Sequence, residues 1–271
     1  MITLEDPVEY RLPGITQVQV QPKAGLSFAK ALRSVLRQDP DVVMVGELRD
    51  RATLEVALAA ALTGHLVLST LHTNDAAGAV ARLLEMGAAP YLVAASLVGV
   101  LAQRLARRLC PECRVTRPAG AAELAGLGLP AADVHLFAAA GCPRCGGHGY
   151  SGRLGIFELL VADARLRDLV LRRATADALR EAARDSGTTT LGQDAWRKLL
   201  TGATSLEEVR PLLALVADEA PACPGCGAAL RRDFIACPAC GRRLRRRCAC
   251  GHLLQDRWRC CPACGATTPA E

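Results

Sequence analysis

The sequence predicts an α/β fold followed by small, metal-stapled segments, and three observations carry that reading. Short apolar runs alternate with helical patterns over residues 1–109, as in a parallel sheet covered by helices. Twelve of the thirteen cysteines fall in close pairs that group in fours: Cys110, Cys113, Cys142 and Cys145; Cys223, Cys226, Cys237 and Cys240; Cys248, Cys250, Cys261 and Cys264. The tail repeats itself at an offset of 24 residues. Together they divide the chain into a sheet core at 1–109, a helical zinc-bearing segment at 110–219 and two small ribbons at 220–271.

The elements follow in order. Ser27 is placed to cap a helix whose apolar face is Phe28, Leu32, Val35 and Leu36, and Pro40 ends it. Asp41 to Val45 reads as a fully buried strand, and Leu66 to Ser69 reads the same way. Between them Thr53 to Thr63 is rich in Ala and Leu, with Gly64 at the closing position. Asn74 or Asp75 opens a further helix running to Met86 and closed by Gly87. Tyr91 to Ala102, about a dozen residues, is too short to span a bilayer and reads as a buried helix. Strands separated by helices of this length imply a parallel sheet covered on both faces. In the second segment an Ala/Gly/Pro-rich insert, Pro118 to Ala140, precedes amphipathic helices at Ala164 to Arg173 and Thr175 to Asp185.

Four thiolates supplied as two short knuckles suit a tetrahedral Zn²⁺, and a closed four-sulfur site leaves no position for substrate, so its role is structural. Disulfides are the competing account of paired cysteines in a small secreted domain. The start, Met1-Ile2-Thr3-Leu4-Glu5-Asp6, has neither a basic nor an apolar leader region, and a reducing cytosol is the consistent expectation. Within the repeat, Cys237-Pro238-Ala239-Cys240-Gly241 matches Cys261-Pro262-Ala263-Cys264-Gly265, Phe234 matches Trp258, and Cys260 matches Ala236 and is the odd cysteine out. Residues 221–271 hold nine Arg against Asp233, Asp256 and Glu271. Two zinc–thiolate dianions reduce that excess to about +2. With only Phe234 and Trp258 for stacking, nucleic acid is not the expected partner.

Chemistry must be sought in the first segment. The run Asp39-Pro40-Asp41-Val42-Val43-Met44-Val45-Gly46-Glu47 delivers a carboxylate past the C-terminal end of a buried strand, where a sheet reaches the cation of a bound triphosphate. Ile2 to Tyr10 puts Glu5, Asp6 and Glu9 behind another apolar run, and Pro7 fixes the turn, so that Glu5 or Asp6 points from the sheet end. A carboxylate there can orient or deprotonate a water. Gly64 to Asp75 places His65 and His72 at the two ends of one strand, His72 just before a helix N-terminus. Arg33 and Arg37 lie four apart on one helix face.

On these motifs residues 1 to about 218 resemble the C-terminal part of the type II secretion and type IV pilus assembly ATPases, the GspE/PilB group. The family's Asp box resembles Ile2 to Tyr10, its Walker B Asp39 to Asp50, its His box Gly64 to Asp75, and its tetracysteine element Cys110-Pro111-Glu112-Cys113 with Cys142-Pro143-Arg144-Cys145. The retraction ATPases of the superfamily usually lack those cysteines, which favours the assembly and secretion branch. The resemblance implies a P-loop, RecA-like core, with Glu47 as the Walker B acid and Glu5 as the catalytic acid of the Asp box. It implies His65 and His72 as nucleotide-state sensors and Arg33 and Arg37 near nucleotide at a subunit interface. Asp6, Asp41, Gly46 and Glu47 are then the contacts to ATP and Mg²⁺. It further implies a homo-hexamer, without a transmembrane segment, peripheral at the cytoplasmic face of the inner membrane and docked on a secretion or pilus platform protein.

No GxxxxGK[ST] occurs in the 271 residues, which contain only Lys23, Lys30 and Lys198 as lysines. In the family that loop lies upstream of the Asp box, and without it nothing cradles the phosphates. The expectation is an ATPase core lacking its N-terminal half and inactive alone. The competing expectation is a non-catalytic, zinc-ribbon binding or regulatory remnant.

Overall fold

The structure, a computed structural model, describes residues 1–120, 123 and 134–217, and in the tail 236–237, 240–243, 246–248, 250, 253–254, 259–261 and 264–267. Cys223, Cys226, Phe234 and Trp258 lie outside the described residues. Two compact units result, Met1–Arg104 with Ile156–Leu191, and Leu105–Gly155 with Gly192–Glu271.

The first unit is built on a four-stranded sheet of β1 (Ile2–Glu5), β2 (Thr16–Gln19), β3 (Val42–Val45) and β4 (Leu66–Ser69). Their order is β2-β1-β3-β4 and every pair is parallel. Glu5 stands opposite Gln19, Leu4 opposite Val45, and Val45 opposite Ser69, so the four C-terminal ends meet at one edge. That alignment is what positions a ligand site in an open parallel sheet.

Helix α1 (Phe28–Val35) is capped by Ser27, whose hydroxyl accepts from the Lys30 N–H at 3.4 Å. Its Phe28, Leu32 and Val35 pack with Leu4, Val43 and Val45 of the sheet. Leu4 and Leu32 are fully buried, each contributing about 1.5–3 kcal/mol. Helix α2 (Arg51–Leu62) starts two residues earlier than its Ala/Leu pattern suggests, because the Asp50 carboxylate accepts from the Thr53 N–H at 2.8 Å. Asp75 is the cap of α3 (Ala76–Glu85), accepting from the Gly78 N–H at 2.6 Å. A second core joins α2 and α3 to α4 (Pro90–Ser96), α5 (Ala164–Leu171) and α6 (Ala176–Asp185) through Leu54, Val80, Leu83, Val93, Leu166 and Leu179.

Three expectations change. Asp41 to Val45 is not a fully buried strand: β3 begins at Val42, Asp41 is exposed, and Val42 and Met44 are half-buried. The soft stretch Tyr91 to Ala102 is not one helix: α4 stops at Ser96, Leu97 turns extended, and β5 (Gly99–Leu109) begins. Beyond Ser96 the burial alternates, with Val100 and Ala102 packed on the second core and Leu101 and Gln103 exposed, a period of two that only a strand satisfies. Pairing with β8 (Tyr150–Val161) captures the segment, and Gly99 comes so close that a Cβ there would lie 3.0 Å from the Leu160 carbonyl oxygen. Nor is β4 a fully buried strand, for Leu66 and Leu68 remain 51% and 44% exposed. It is the sheet's terminal strand, and among the described residues its face by these leucines is uncovered.

In the second unit β6 (Arg114–Pro118) and β7 (His135–Ala139) form an antiparallel pair, accompanied by α7 (Leu191–Leu200) and α8 (Leu206–Ala217). Arg114 lies over the Phe137 ring and donates to the Gly202 carbonyl at 2.6 Å. Asp194 is almost wholly buried, ion-paired to Arg197 at 2.6 Å and to Lys198, whose ammonium also donates to the Gly155 carbonyl. Removing a buried acid strands its cation, so Asp194→Ala should cost about 3–5 kcal/mol. Urea unfolding in zinc-saturated buffer checks this, and a loss below about 1 kcal/mol, the scale of an exposed pair, contradicts it.

In the tail the repeat is visible as geometry. The bridge Ala236↔Arg243 recurs 24 residues on as Cys260↔Thr267. Cys237 accepts from Gly241 N–H at 2.8 Å, as Cys261 does from Gly265 N–H at 2.8 Å. The short strands β9 (Arg246–Arg247) and β10 (Leu253–Leu254) pair antiparallel. No helix among the described residues is long and apolar enough to cross a membrane.

Candidate functional site

The C-terminal sheet edge collects polar groups because each strand ends where its apolar run ends. At β1, Glu5 Oε1 accepts from the Thr3 hydroxyl at 2.5 Å and from Gln17 Nε2 at 2.9 Å. Gln17, in register beside Thr3, also donates to the Tyr10 carbonyl and accepts from the Leu12 N–H, tying the following loop down. Asp6, exposed, precedes Pro7 through a cis peptide bond. At β3, the Gly46 N–H donates to the Leu4 carbonyl at 2.7 Å, and a Cβ on Gly46 would lie 3.0 Å from that oxygen, so the close approach of the two strand ends favours glycine.

Glu47 follows at once, its side chain only 12% exposed. One carboxylate oxygen pairs with Arg49 at 2.6 Å, and the other faces His72 Nε2 at 3.5 Å. Hydrogen bonds from Ser69 to the Val45 carbonyl, from Thr70 to the Gly46 carbonyl and from the Leu48 N–H to the Thr70 carbonyl lace the ends of β3 and β4 together. That lacing brings His72, three residues past β4, beside Glu47. His72 is 91% exposed and lines an open recess with Leu71, Thr73, Asn74 and Arg104.

The structure thus brings together Glu5, Asp6, Gly46, Glu47 and His72 at one edge. Asp41 and His65 sit at the other: Asp41 precedes β3 and its carbonyl accepts from Leu66 N–H, while His65 Nδ1 contacts the Ala60 carbonyl at 3.0 Å. A four-residue strand spans about 13 Å, which separates the two sets. Arg33 and Arg37 are exposed at the end of α1, with Arg37 folded back onto the Arg33 carbonyl at 2.9 Å. Gln17, Arg49 and Arg104 were not legible as site residues. Arg49 carried a signal, two positions beyond Glu47 in a turn, whereas Gln17 reaches the edge through strand register and Arg104 through its contacts with the Thr73 and Asn74 carbonyls.

Carboxylates at adjacent strand ends, flanked by imidazole and guanidinium, can hold a hard cation such as Mg²⁺ and orient water near an anion.

The cysteines form the second kind of site. Sγ atoms of Cys110, Cys113, Cys142 and Cys145 all lie within 4.8 Å of one another, and three of the spacings are 3.8–3.9 Å. A tetrahedron with Zn–S near 2.3 Å has edges of about 3.8 Å, so these donors fit zinc. N–H groups of Cys142 and Gly149 donate to Cys145 Sγ at 3.2 and 3.1 Å and draw its thiol down to about 6. Burial pushes the Cys113 thiol up to about 12. Gly149 has φ +73°, and a Cβ there would meet Ala139 Cβ at 2.4 Å. Cys248, Cys250, Cys261 and Cys264 gather likewise, with Cys260 outside the group. Of the remaining set, Cys237 and Cys240 are described.

Residues 1–211 match the family described as type II/IV secretion system protein, and residues 223–265 match the double zinc ribbon. The type IV pilus assembly ATPase PilB of Thermus thermophilus is 53% identical over 210 residues, 76% of this chain and 24% of that protein. Type II secretion system protein E of Pseudomonas aeruginosa is 53% identical over 210 residues, 77% of this chain and 42% of that protein. The chain therefore spans less than half the length of these curated relatives. Among solved structures, the pilus retraction motor PilT with bound ADP has a TM-score of 0.55 at 28% identity, over 78% of this chain and 51% of that one. The Legionella pneumophila ATPase DotB, at 23% identity, a TM-score of 0.54 and coverage of 79% and 51%, shares the fold.

Proposed function

The chain belongs to the type II/IV secretion system protein family, and from that premise we propose that residues 1–211 are the catalytic-acid portion of an ATP-driven motor for secretion or pilus assembly. The observation that carries the reading is the meeting of Glu47 and His72 beside Glu5 at the C-terminal edge of a parallel sheet. The working assembly is a homo-hexamer at the cytoplasmic face of the inner membrane, docked on a platform protein, with three structural zinc ions per chain.

ATP with Mg²⁺ supplies the phosphoryl group and the charge neutralisation. Glu47, held by Arg49 and mostly shielded from water, presents a fixed carboxylate to the cation shell. Both hydrogen bonds on Glu5 go to Oε1, which orients the group while Oε2 accepts from an attacking water. His72, exposed yet beside Glu47, moves with the state of the site. Arg33 on α1 and Arg37 in the 3-10 turn just after it, both exposed, suit a neighbouring subunit's nucleotide, where a cation stabilises the transferring phosphoryl. Asp41 and His65, at the far edge, take no part in this reading.

The purified chain is expected to show no ATP turnover above background, because the sequence holds no phosphate-binding loop. Phosphate release measured on the reduced, zinc-loaded protein checks this. Appreciable turnover that Glu47→Gln abolishes would overturn it.

A further inference from the structure

His72 projects from an exposed loop, yet the residues that follow it, 73–76, are tied at three points by side chains far downstream. The Arg104 guanidinium on β5 donates to the Thr73 and Asn74 carbonyls at 3.3 and 3.2 Å and to Asn74 Oδ1 at 3.3 Å. Glu158 on β8 accepts from the Ala76 N–H at 3.0 Å through Oε1 and from the Leu191 N–H at 3.1 Å through Oε2. Arg180 on α6 donates from Nε to Asp75 Oδ2 at 2.6 Å and is itself braced by Asp177 at 2.6 Å. Asp75 is committed twice, since its other oxygen caps α3.

These ties are not equivalent to a generic core contact. All three are charge-assisted and fall within residues 73–76, and the Asp75–Arg180 pair is more than half shielded on both sides. His65, at the other end of β4, has none of them and rests on its own helix end. We propose that Arg104, Glu158 and Arg180 are positioning residues that set the 71–76 loop so that the His72 imidazole faces Glu47. The functional meaning of that geometry rests on the reading of Glu47 and His72 as parts of a nucleotide site.

The test is histidine-ring and amide NMR on the full, zinc-loaded chain, comparing Arg180→Ala, Arg180→Lys and Glu158→Gln with the parent. Both Arg180→Ala and Glu158→Gln are expected to shift the His72 ring resonances while leaving those of His65 in place. Arg180→Lys, which keeps a cation for Asp75, should return His72 toward its parent position. Exchange of the Ala76 amide should quicken about tenfold in Glu158→Gln, the scale of a lost helix cap. Unmoved His72 resonances alongside faster Ala76 exchange would reduce the tie to structure alone and overturn the proposal. Equal movement of His65 and His72 would overturn it too, since it signals general loosening. If Arg180→Ala does not fold, the two conservative variants carry the test. The measurement needs no nucleotide, so its outcome stands apart from whether ATP is hydrolysed.

Discussion

Cys145→Ser is expected to lower zinc content from three ions per chain to two and to unfold the knuckle that Cys110, Cys113, Cys142 and Cys145 build. The cause is local. Cys145 Sγ accepts two backbone N–H groups and stands 3.9 Å from Cys113 and 3.8 Å from Cys142, so it is both a ligand and the acceptor around which the second knuckle turns. Its thiol is already drawn down to about 6, whereas burial pushes Cys113 up to about 12, so without a cation these two sulfurs do not share one charge state. In zinc-finger peptides the metal contributes about 10–16 kcal/mol. That exceeds the few kcal/mol of any single core contact, so no nearby packing offsets the loss. Elemental analysis of reducing-purified protein, with limited proteolysis between 105 and 155, reads the result. A parent protein with one zinc or fewer would contradict the ligand sets, and a variant with unchanged metal and protection would contradict the role of Cys145.

How much of this was legible depended on whether the deciding interaction was local. Ser27, Gly87 and the strand Leu66 to Ser69 could be read directly, because caps and short apolar runs carry their own signal. Asp75 was one of two candidates for its cap, and only the carboxylate bond to Gly78 separates it from Asn74. Val98-Gly99-Val100 was misread because an apolar stretch has no periodicity until a partner strand imposes one, here β8 some sixty residues on. The site divides in the same way. Glu5 ends its strand and Glu47 lies two residues past its own, so their edge could be inferred from the run they close, and the pairing of β1 with β3 places those ends side by side. His65 and His72 looked equivalent as brackets of one strand, yet four residues of β4 put them at opposite edges. Gln17 and Arg104 were invisible, since parallel register and a downstream strand bring them in.

Glu47 is the residue on which the functional account turns. In a chimera where the 210 matched residues of type II secretion system protein E of Pseudomonas aeruginosa are replaced by residues 1–211 of this chain, the phosphate loop that the family resemblance implies is expected upstream of β1. Glu47 would then meet ATP with its carboxylate fixed by Arg49 and beside His72. Glutamine keeps the size and one hydrogen-bond acceptor but removes the charge that holds the cation and polarises water, an effect of about 100-fold or more on turnover with binding largely retained. The decisive measurement is steady-state ATP hydrolysis by that chimera and its Glu47→Gln variant. The expected result is an active chimera whose variant loses at least about 100-fold in kcat. A variant within about twofold of an active parent would show that Glu47 plays no part in the chemistry.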